Sequence, residues 1–208
     1  MAKSLENQET ARKIVEAATE LFAENNFEAV SLKKIASKAG ANSALISYYF
    51  GNKQKLYEHI LSDQADFFMS SLEKLEATGL TPLKRMLHFL DEQTRSHLEN
   101  PNAIRIIYRE LLSPTEIGAE TIEKKILTIQ DRMIEALEEA IENGTVKPDT
   151  NTHAAAFTLI SISAFYLLTH QYILASRRLS GEETDFSHIR KVYLTYFNSL
   201  LTGKESLA

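Results

Sequence analysis

The chain has 208 residues, 44% of them hydrophobic and 25% charged, with a formal net charge of −5. That is enough apolar material for one or two globular domains. The absence of cysteine excludes disulfide scaffolds, thiolate nucleophiles and cysteine-ligated zinc.

The start, MAKSLENQET, is polar and lacks the apolar run that a secretion signal needs, so a cytoplasmic protein is expected. Proline is rare and no stretch keeps up a strand-like alternation, so the chain reads as all-α, with about nine helices. The first predicted helix spans Glu9 to Asn25 and places Ile14, Ala17, Ala18, Leu21 and Phe22 on one face. Asn25-Asn26 should end it, since asparagine tolerates the left-handed backbone of a helix terminus. Ser31 caps a short second helix that buries Leu32, Ile35, Ala36 and Ala39, and Gly40 supplies a tight turn. Asn42 or Ser43 caps a third through Tyr49, with Ile46 and Phe50 turned inward. Asn52 caps a fourth, which runs from Lys53 through Leu56, Ile60, Phe68, Leu72 and Leu75 to Gly79.

Pro82 opens the fifth helix, ending near Asn100, and Pro101 opens a short sixth with Ile104, Ile107, Tyr108 and Leu111. The seventh carries Ile122, Ile126, Ile129, Met133, Leu137 and Ile141 and stops at Gly144. The eighth, capped within Asp149 to Asn151, has no charged residue between Ala154 and Ser176. Its Thr158, Ser161, Ser163, Thr169, His170 and Gln171 favour a helix buried in a bundle or interface over a membrane span. The ninth covers roughly Phe186 to Leu201. The domain boundary is expected within the fourth helix, giving 1–56 and 57–208.

Residues 31–55 hold five lysines (Lys33, Lys34, Lys38, Lys53, Lys55) and no acid, so the rest of the chain carries −10. A basic island on an acidic body can still dock on phosphate, because screening confines the interaction to about 8 Å at physiological salt. The island coincides with a helix, glycine-containing turn and helix over 31–49, the helix-turn-helix pattern whose second helix enters the DNA major groove. With Ile46 and Phe50 inside, Ser43, Ala44, Leu45, Ser47, Tyr48 and Tyr49 lie nearer the surface. Leucine and two tyrosines on one short exposed face suit thymine methyls, sugars and phosphates.

The run TARKIVEAATELFAENNFEAVSLKKIASKAGANSALISYYFGNKQKLY, residues 10–57, resembles the DNA-binding domain of the TetR (tetracycline-repressor-like) family without a gap. Matching positions include Ile14, Ala18, Leu21, Phe22, Ser31, Ile35, Ala36, Ala39, Gly40, Tyr49, Phe50, Lys53 and Leu56. Asn26 stands where the family usually has glycine, Ala41 and Asn42 where it often has Val and Ser, and Ser47 where most members carry tyrosine. Arg109-Glu110 followed by Ser113-Pro114 resembles the C-terminal domain of one subset of the family.

The resemblance implies that Ser31 and nearby amides meet one phosphate, and that Lys53 meets another. It also implies that Tyr48 and Tyr49 touch the backbone or base edges, while Ser43, Ala44, Leu45 and Ser47 approach the bases. Asn42 and Lys33 complete the expected contact set; Lys33 and Lys34 read equally as a solvated helix face. The reading helix has no Arg, Gln or Glu, so specificity is expected from methyl contacts and DNA shape.

In such a family the later helices form an effector pocket, and the last two pair with their copies in a homodimer. The apolar eighth helix agrees, with Ala154, Ala155, Ala156, Ser161, Ser163 and Ala164 permitting close approach. Arg105, Tyr108, Arg109, Phe157, Tyr166 and His170 are the candidate ligand-binding residues, each of which also reads as core or rim. The expected partners are a double-stranded DNA operator, an apolar or weakly anionic small-molecule effector and a second copy of the chain, with no membrane. No catalytic residue, metal or cofactor is expected, since no di-iron helix pair, phosphate loop or HExxH is present. The alternative is a helical carrier or adaptor that kept the fold without DNA binding.

Overall fold

The computed structural model describes residues 2–121, 123–124, 127–175, 191, 195, 198–199 and 201–203. Among them every regular element is helical: α1 (Ala2–Glu24), α2 (Leu32–Ala39), α3 (Ser43–Phe50), α4 (Lys53–Glu76), α5 (Pro82–Glu99), α6 (Pro101–Leu112), α7 (Glu116–Thr121), α8 (Leu127–Glu142) and α9 (Thr152–Ala175). A 3-10 turn, Phe27–Ala29, joins α1 to α2. Of the seventh helix expected from Ile122 to Gly144, α8 covers Leu127–Glu142; the short α7 before it was not expected, and Ile122 and Ile126 lie outside the described residues. The expected final helix also falls largely outside them.

The chain forms two compact units. The first comprises Met1–Met69 and Glu99–Leu127, the second Ser70–Leu98 and Thr128–Ala208. The boundary expected at 56/57 therefore lies inside the first unit: α4 runs through it unbroken, and α6 packs on α1. Residues 99–127, expected with the C-terminal domain, fold with the N-terminal helices.

In the first unit α1, α2 and α3 pack on one another around Ile14, Ala18, Phe22, Ile35 and Ile46, all buried. The i, i+4, i+8 spacing of Ile14, Ala18 and Phe22 is what turns them to one side of α1. Gly40, at φ 62°, makes the α2–α3 turn; a Cβ would meet nothing within 4 Å, so glycine is favoured there by its left-handed backbone and not by lack of space. Phe22, Phe27 and Tyr57 form an aromatic cluster, with Tyr57 4.8 Å from Phe22 and 5.0 Å from Phe27 between centroids.

The end of α1 differs from expectation. Asn26 is extended (φ −63°, ψ 150°), so no left-handed residue is needed at the position where the resemblance implies glycine. The last carbonyls are taken up by side chains instead. Asn25 Nδ2 donates to Leu21 O at 2.9 Å, and the Arg109 guanidinium of α6 donates to Phe22 O, Ala23 O and Asn25 O at 2.5, 2.7 and 2.7 Å. A cation at a helix C-terminus also meets the negative end of its dipole. On α6, Leu111, named with Ile104 and Ile107 among the apolar residues of this helix, is exposed, and its neighbour Glu110 is buried.

In the second unit α8 buries Ile129, Met133 and Leu137, α5 buries Leu83, Met86, Phe89 and Leu90, and α9 buries Ala156, Leu159 and Tyr166. α8 ends at Gly144 (φ 73°), with Thr145 and Val146 amides both bonded to Ala140 O. Asn151 Oδ1 then caps α9 by accepting from Ala154 N at 2.9 Å. Among the described residues no helix is long and apolar enough to cross a membrane.

Candidate nucleic-acid interface

α3 is oriented by what it buries. Ile46 has no solvent exposure and holds the helix on α1 and α2, so Ser43, Ala44, Leu45, Ser47 and Tyr48 open on the other side. Tyr48 is 75% exposed. Phe50 and Tyr49 are half-buried; Tyr49 donates its hydroxyl to Asn7 Oδ1 of α1 at 3.1 Å and meets the Tyr48 ring edge-on. An open tyrosine beside an open leucine is apolar surface that a partner can cover.

The starts of α2, α3 and α4 are all capped by side chains. Ser31 Oγ accepts from Lys34 N at 3.2 Å, Asn42 Oδ1 from Ala44 N at 2.9 Å and Asn52 Oδ1 from Lys55 N at 2.9 Å. Helical geometry gives the amides nearest each cap no acceptor within their own helix, which leaves N–H groups at the starts of α2 and α4 for an anion.

The five lysines divide by what they already hold. Lys53 Nζ donates to Phe27 O at 2.9 Å and stands 4.1 Å over the Phe27 ring, so its ammonium is engaged by the 3-10 turn. Lys34 Nζ donates to Ala29 O at 3.2 Å, and Lys38 pairs with Glu20 at 2.6 Å. Lys33 and Lys55 are exposed. Sequence reasoning put weight on Lys53 and left Lys55 out; only the folded geometry separates an anchored lysine from an open one.

Two family models match. "Bacterial regulatory proteins, tetR family" covers residues 14–60, and "HTH-type transcriptional dual regulator CecR, C-terminal domain" covers residues 81–203, more than half of the chain. The chain belongs to the TetR family. It is 31% identical over 104 residues to the probable HTH-type transcriptional regulator YttP of Bacillus subtilis (strain 168), covering 49% of this chain and half of that one. To the HTH-type transcriptional regulator UidR of Escherichia coli (strain K12) it is 24% identical over 159 residues, 76% of this chain and 80% of that one. Among solved structures, AibR in complex with isovaleryl coenzyme A and operator DNA shares the fold, with a TM-score of 0.66 at 20% identity over 84% of this chain and 93% of that one.

As a TetR-family protein the chain is a DNA-binding transcriptional regulator, and its expected contact residues gather in the first unit. Ser31 and Lys33 stand at the start of α2, Asn42 to Tyr49 along α3, and Lys53 at the start of α4. The expected ligand residues are divided between the two units. Arg105, Tyr108 and Arg109 lie on α6 in the first unit; Phe157, Tyr166 and His170 lie on α9 in the second. Arg105 is exposed, and burial pushes the half-buried Tyr108 hydroxyl up to about 12. Tyr166 is buried, Phe157 is 64% exposed, and the side chain of His170 lies outside the described residues.

Of these residues, none of the five with described side chains lines the open cleft of about 320 Å³ in the second unit. Leu72, Leu75, Met86, Met133 and Ala136 form its apolar part. Two arginines stand at its rim: Arg85 pairs with Glu139, and Arg132 with Glu135 at 3.1 Å and Glu76 at 3.9 Å. The cleft draws on three helices, so no local pattern in the sequence announces it. Among the described residues no group of His, Asp or Glu side chains is placed to hold a metal ion.

Proposed function

We propose that this TetR-family regulator acts in the cytoplasm as a homodimeric, ligand-responsive repressor of a pseudo-palindromic operator. The observation that carries the reading is α3: a short helix anchored by Ile46, presenting Leu45, Tyr48 and small polar residues between the capped starts of α2 and α4. Ser43, Ala44, Leu45 and Ser47 face the bases. Tyr48 and Tyr49 contact the backbone or base edges, and the amides at the α2 and α4 starts, with Ser31 and Lys33, take phosphates, while Lys53, held on Phe27, anchors the α4 start. Lys55 joins this set because it is exposed on the first turn of α4. With no Arg, Gln or Glu on α3, discrimination comes from thymine methyls and duplex shape.

The dimer forms through α9 and the helix that follows it. Ala154, Phe157, Thr158, Phe165 and Leu168 are exposed along one stripe of α9, which supports a partner surface there. This moves Phe157 from the effector site to the interface. Arg109, already bonded to three carbonyls, leaves it as well. Arg105, Tyr108, Tyr166 and His170 stay as candidate ligand contacts, joined by Arg85 and Arg132 at the cleft.

An apolar floor with arginines at its rim suits a small, weakly anionic, amphipathic effector. AibR, which shares the fold, is complexed with isovaleryl coenzyme A, a short acyl thioester of a strongly anionic carrier. An effector that prefers a dimer with its reading heads wrongly spaced releases DNA by population shift. The test is a gel-shift or anisotropy titration on the intergenic DNA beside the gene, repeated with a panel of short acyl thioesters and carboxylates. Specific binding that one compound class weakens supports the reading; binding no tighter than to random duplex, there and in a genome-wide selection, overturns it.

A further inference from the structure

Two adjacent residues of α6 are spent entirely inside the first unit, and DNA contact does not account for them. Arg109 gives its guanidinium to Phe22 O, Ala23 O and Asn25 O at the end of α1. Glu110, 1% exposed, accepts from the Tyr57 hydroxyl at 2.5 Å, from Thr115 N at 2.7 Å and from Thr115 Oγ1 at 3.0 Å. A buried carboxylate with three donors and a guanidinium on three carbonyls are costly to bury and strongly orienting.

Each bond leads to one side of the reading face. The α1 end that Arg109 holds runs through Asn26 and the 3-10 turn into Ser31, the cap of α2. Tyr57, which Glu110 holds, packs on Phe27, and Phe27 in turn holds Lys53 at the start of α4 by its carbonyl and its ring. Burial raises the Tyr57 hydroxyl well above its ordinary range, with Glu110 adding to the effect, so it stays a donor. α7 is shaped to admit the carboxylate: a Cβ on Gly118 would come 1.9 Å from Glu110 Oε2.

We propose that Arg109 and Glu110 are positioning residues for DNA binding: through the α1 end and through Tyr57 they set the separation of the two helix starts, of α2 and α4, that grip phosphate on either side of α3. The proposal rests on the DNA-binding reading above. It makes α6 and α7 part of the reading head although they lie after α5 in the sequence. A head held at the wrong separation still meets phosphate, but cannot seat α3 in register with the bases.

The test uses the full-length dimer, the best duplex recovered by in vitro selection with wild type, and a random duplex of equal length. The variants are Arg109→Met, Arg109→Lys, Tyr57→Phe, Glu110→Gln and the Tyr57→Phe/Glu110→Gln double. Tyr57→Phe is expected to weaken the selected site about tenfold, the scale of one lost buried hydrogen bond, and Arg109→Met, which loses three, by at least as much. Binding to random duplex should change less than about twofold and the salt slope should hold, because no phosphate contact is removed. Arg109→Lys should recover part of the loss, and the double variant should be no weaker than its weaker parent. Folded, dimeric variants that bind the selected site like wild type overturn the proposal alone, as does an equal loss on both duplexes. Should Arg109→Met fail to fold, Tyr57→Phe, which keeps the ring packing, decides. A wild type that selects no sequence overturns the DNA-binding reading and this proposal together.

Discussion

At Gly118 the backbone of α7 lies so close to the Glu110 carboxylate that a methyl group has no room. Alanine is the better helix former by about 1 kcal/mol, but it would push aside a carboxylate held by Tyr57 and Thr115. Overpacking should win, so Gly118→Ala is expected to destabilise the protein by about 1–3 kcal/mol. A thermal melt checks this; an unchanged or raised melting temperature contradicts it. His97 is a second residue with a definite sign. Burial pushes its imidazole down to about 4, below the 6.5 of the unfolded chain. The native state therefore binds fewer protons between those values, and stability is lost as pH falls from about 6.5 towards 4. The loss is on the order of 3 kcal/mol in total and levels off below that window. Urea midpoints at pH 7.5 and 5 should converge in His97→Phe relative to wild type; an equal fall in both would show that other groups carry the effect. Neither residue was singled out by sequence, because burial of Glu110 and His97 is decided by contacts remote along the chain.

Among the elements, the reading helices were the legible part. Caps at Ser31, Asn42 and Asn52, the turn at Gly40 and the inward Ile46 follow from local chemistry, and α2 and α3 fall where those signals put them. What escaped was whatever depends on a distant partner. Asn26 gave a left-handed terminus on propensity, whereas α1 ends on Arg109 from α6. Leu111 belonged to the apolar stripe of α6, yet Glu110 is inside because Tyr57 and Thr115 satisfy it. The same logic separates the lysines. Lys53→Ala removes an anchor of the Phe27–Ala29 turn, so it should weaken operator binding with little change in salt slope. A slope reduced as much as by Lys55→Ala would mean that Lys53 leaves Phe27 to meet phosphate.

For the whole molecule, the two compact units are not the two halves that the sequence pattern suggested. The chain passes between them three times, within α4, at the end of α5 and at the start of α8, which puts α6 and α7 in the DNA-binding unit. Composition could reveal an apolar α9, but not that Phe157, Phe165 and Leu168 share its exposed stripe. A stable dimer buries about 1,600 Å² in total, so large side chains at the centre of that stripe should dominate it. Phe157→Glu/Phe165→Glu is expected to sediment as a monomer at micromolar concentration and to lose operator binding while keeping its helical content. A variant that stays dimeric moves the interface elsewhere.

Operator reading is assigned to α3 and the flanking helix starts. Its most direct test is fluorescence anisotropy on the selected duplex across a salt series, for wild type, Tyr48→Ala and Lys55→Ala. Wild type should bind tightly, far above random DNA, and weaken steeply with salt. Lys55→Ala should lower the slope of log K against log salt by about two per dimer, one phosphate contact for each subunit. Tyr48→Ala should weaken the selected site with little change in slope. Wild-type affinity that is equal for selected and random duplex, or unaffected by either substitution, would contradict the account.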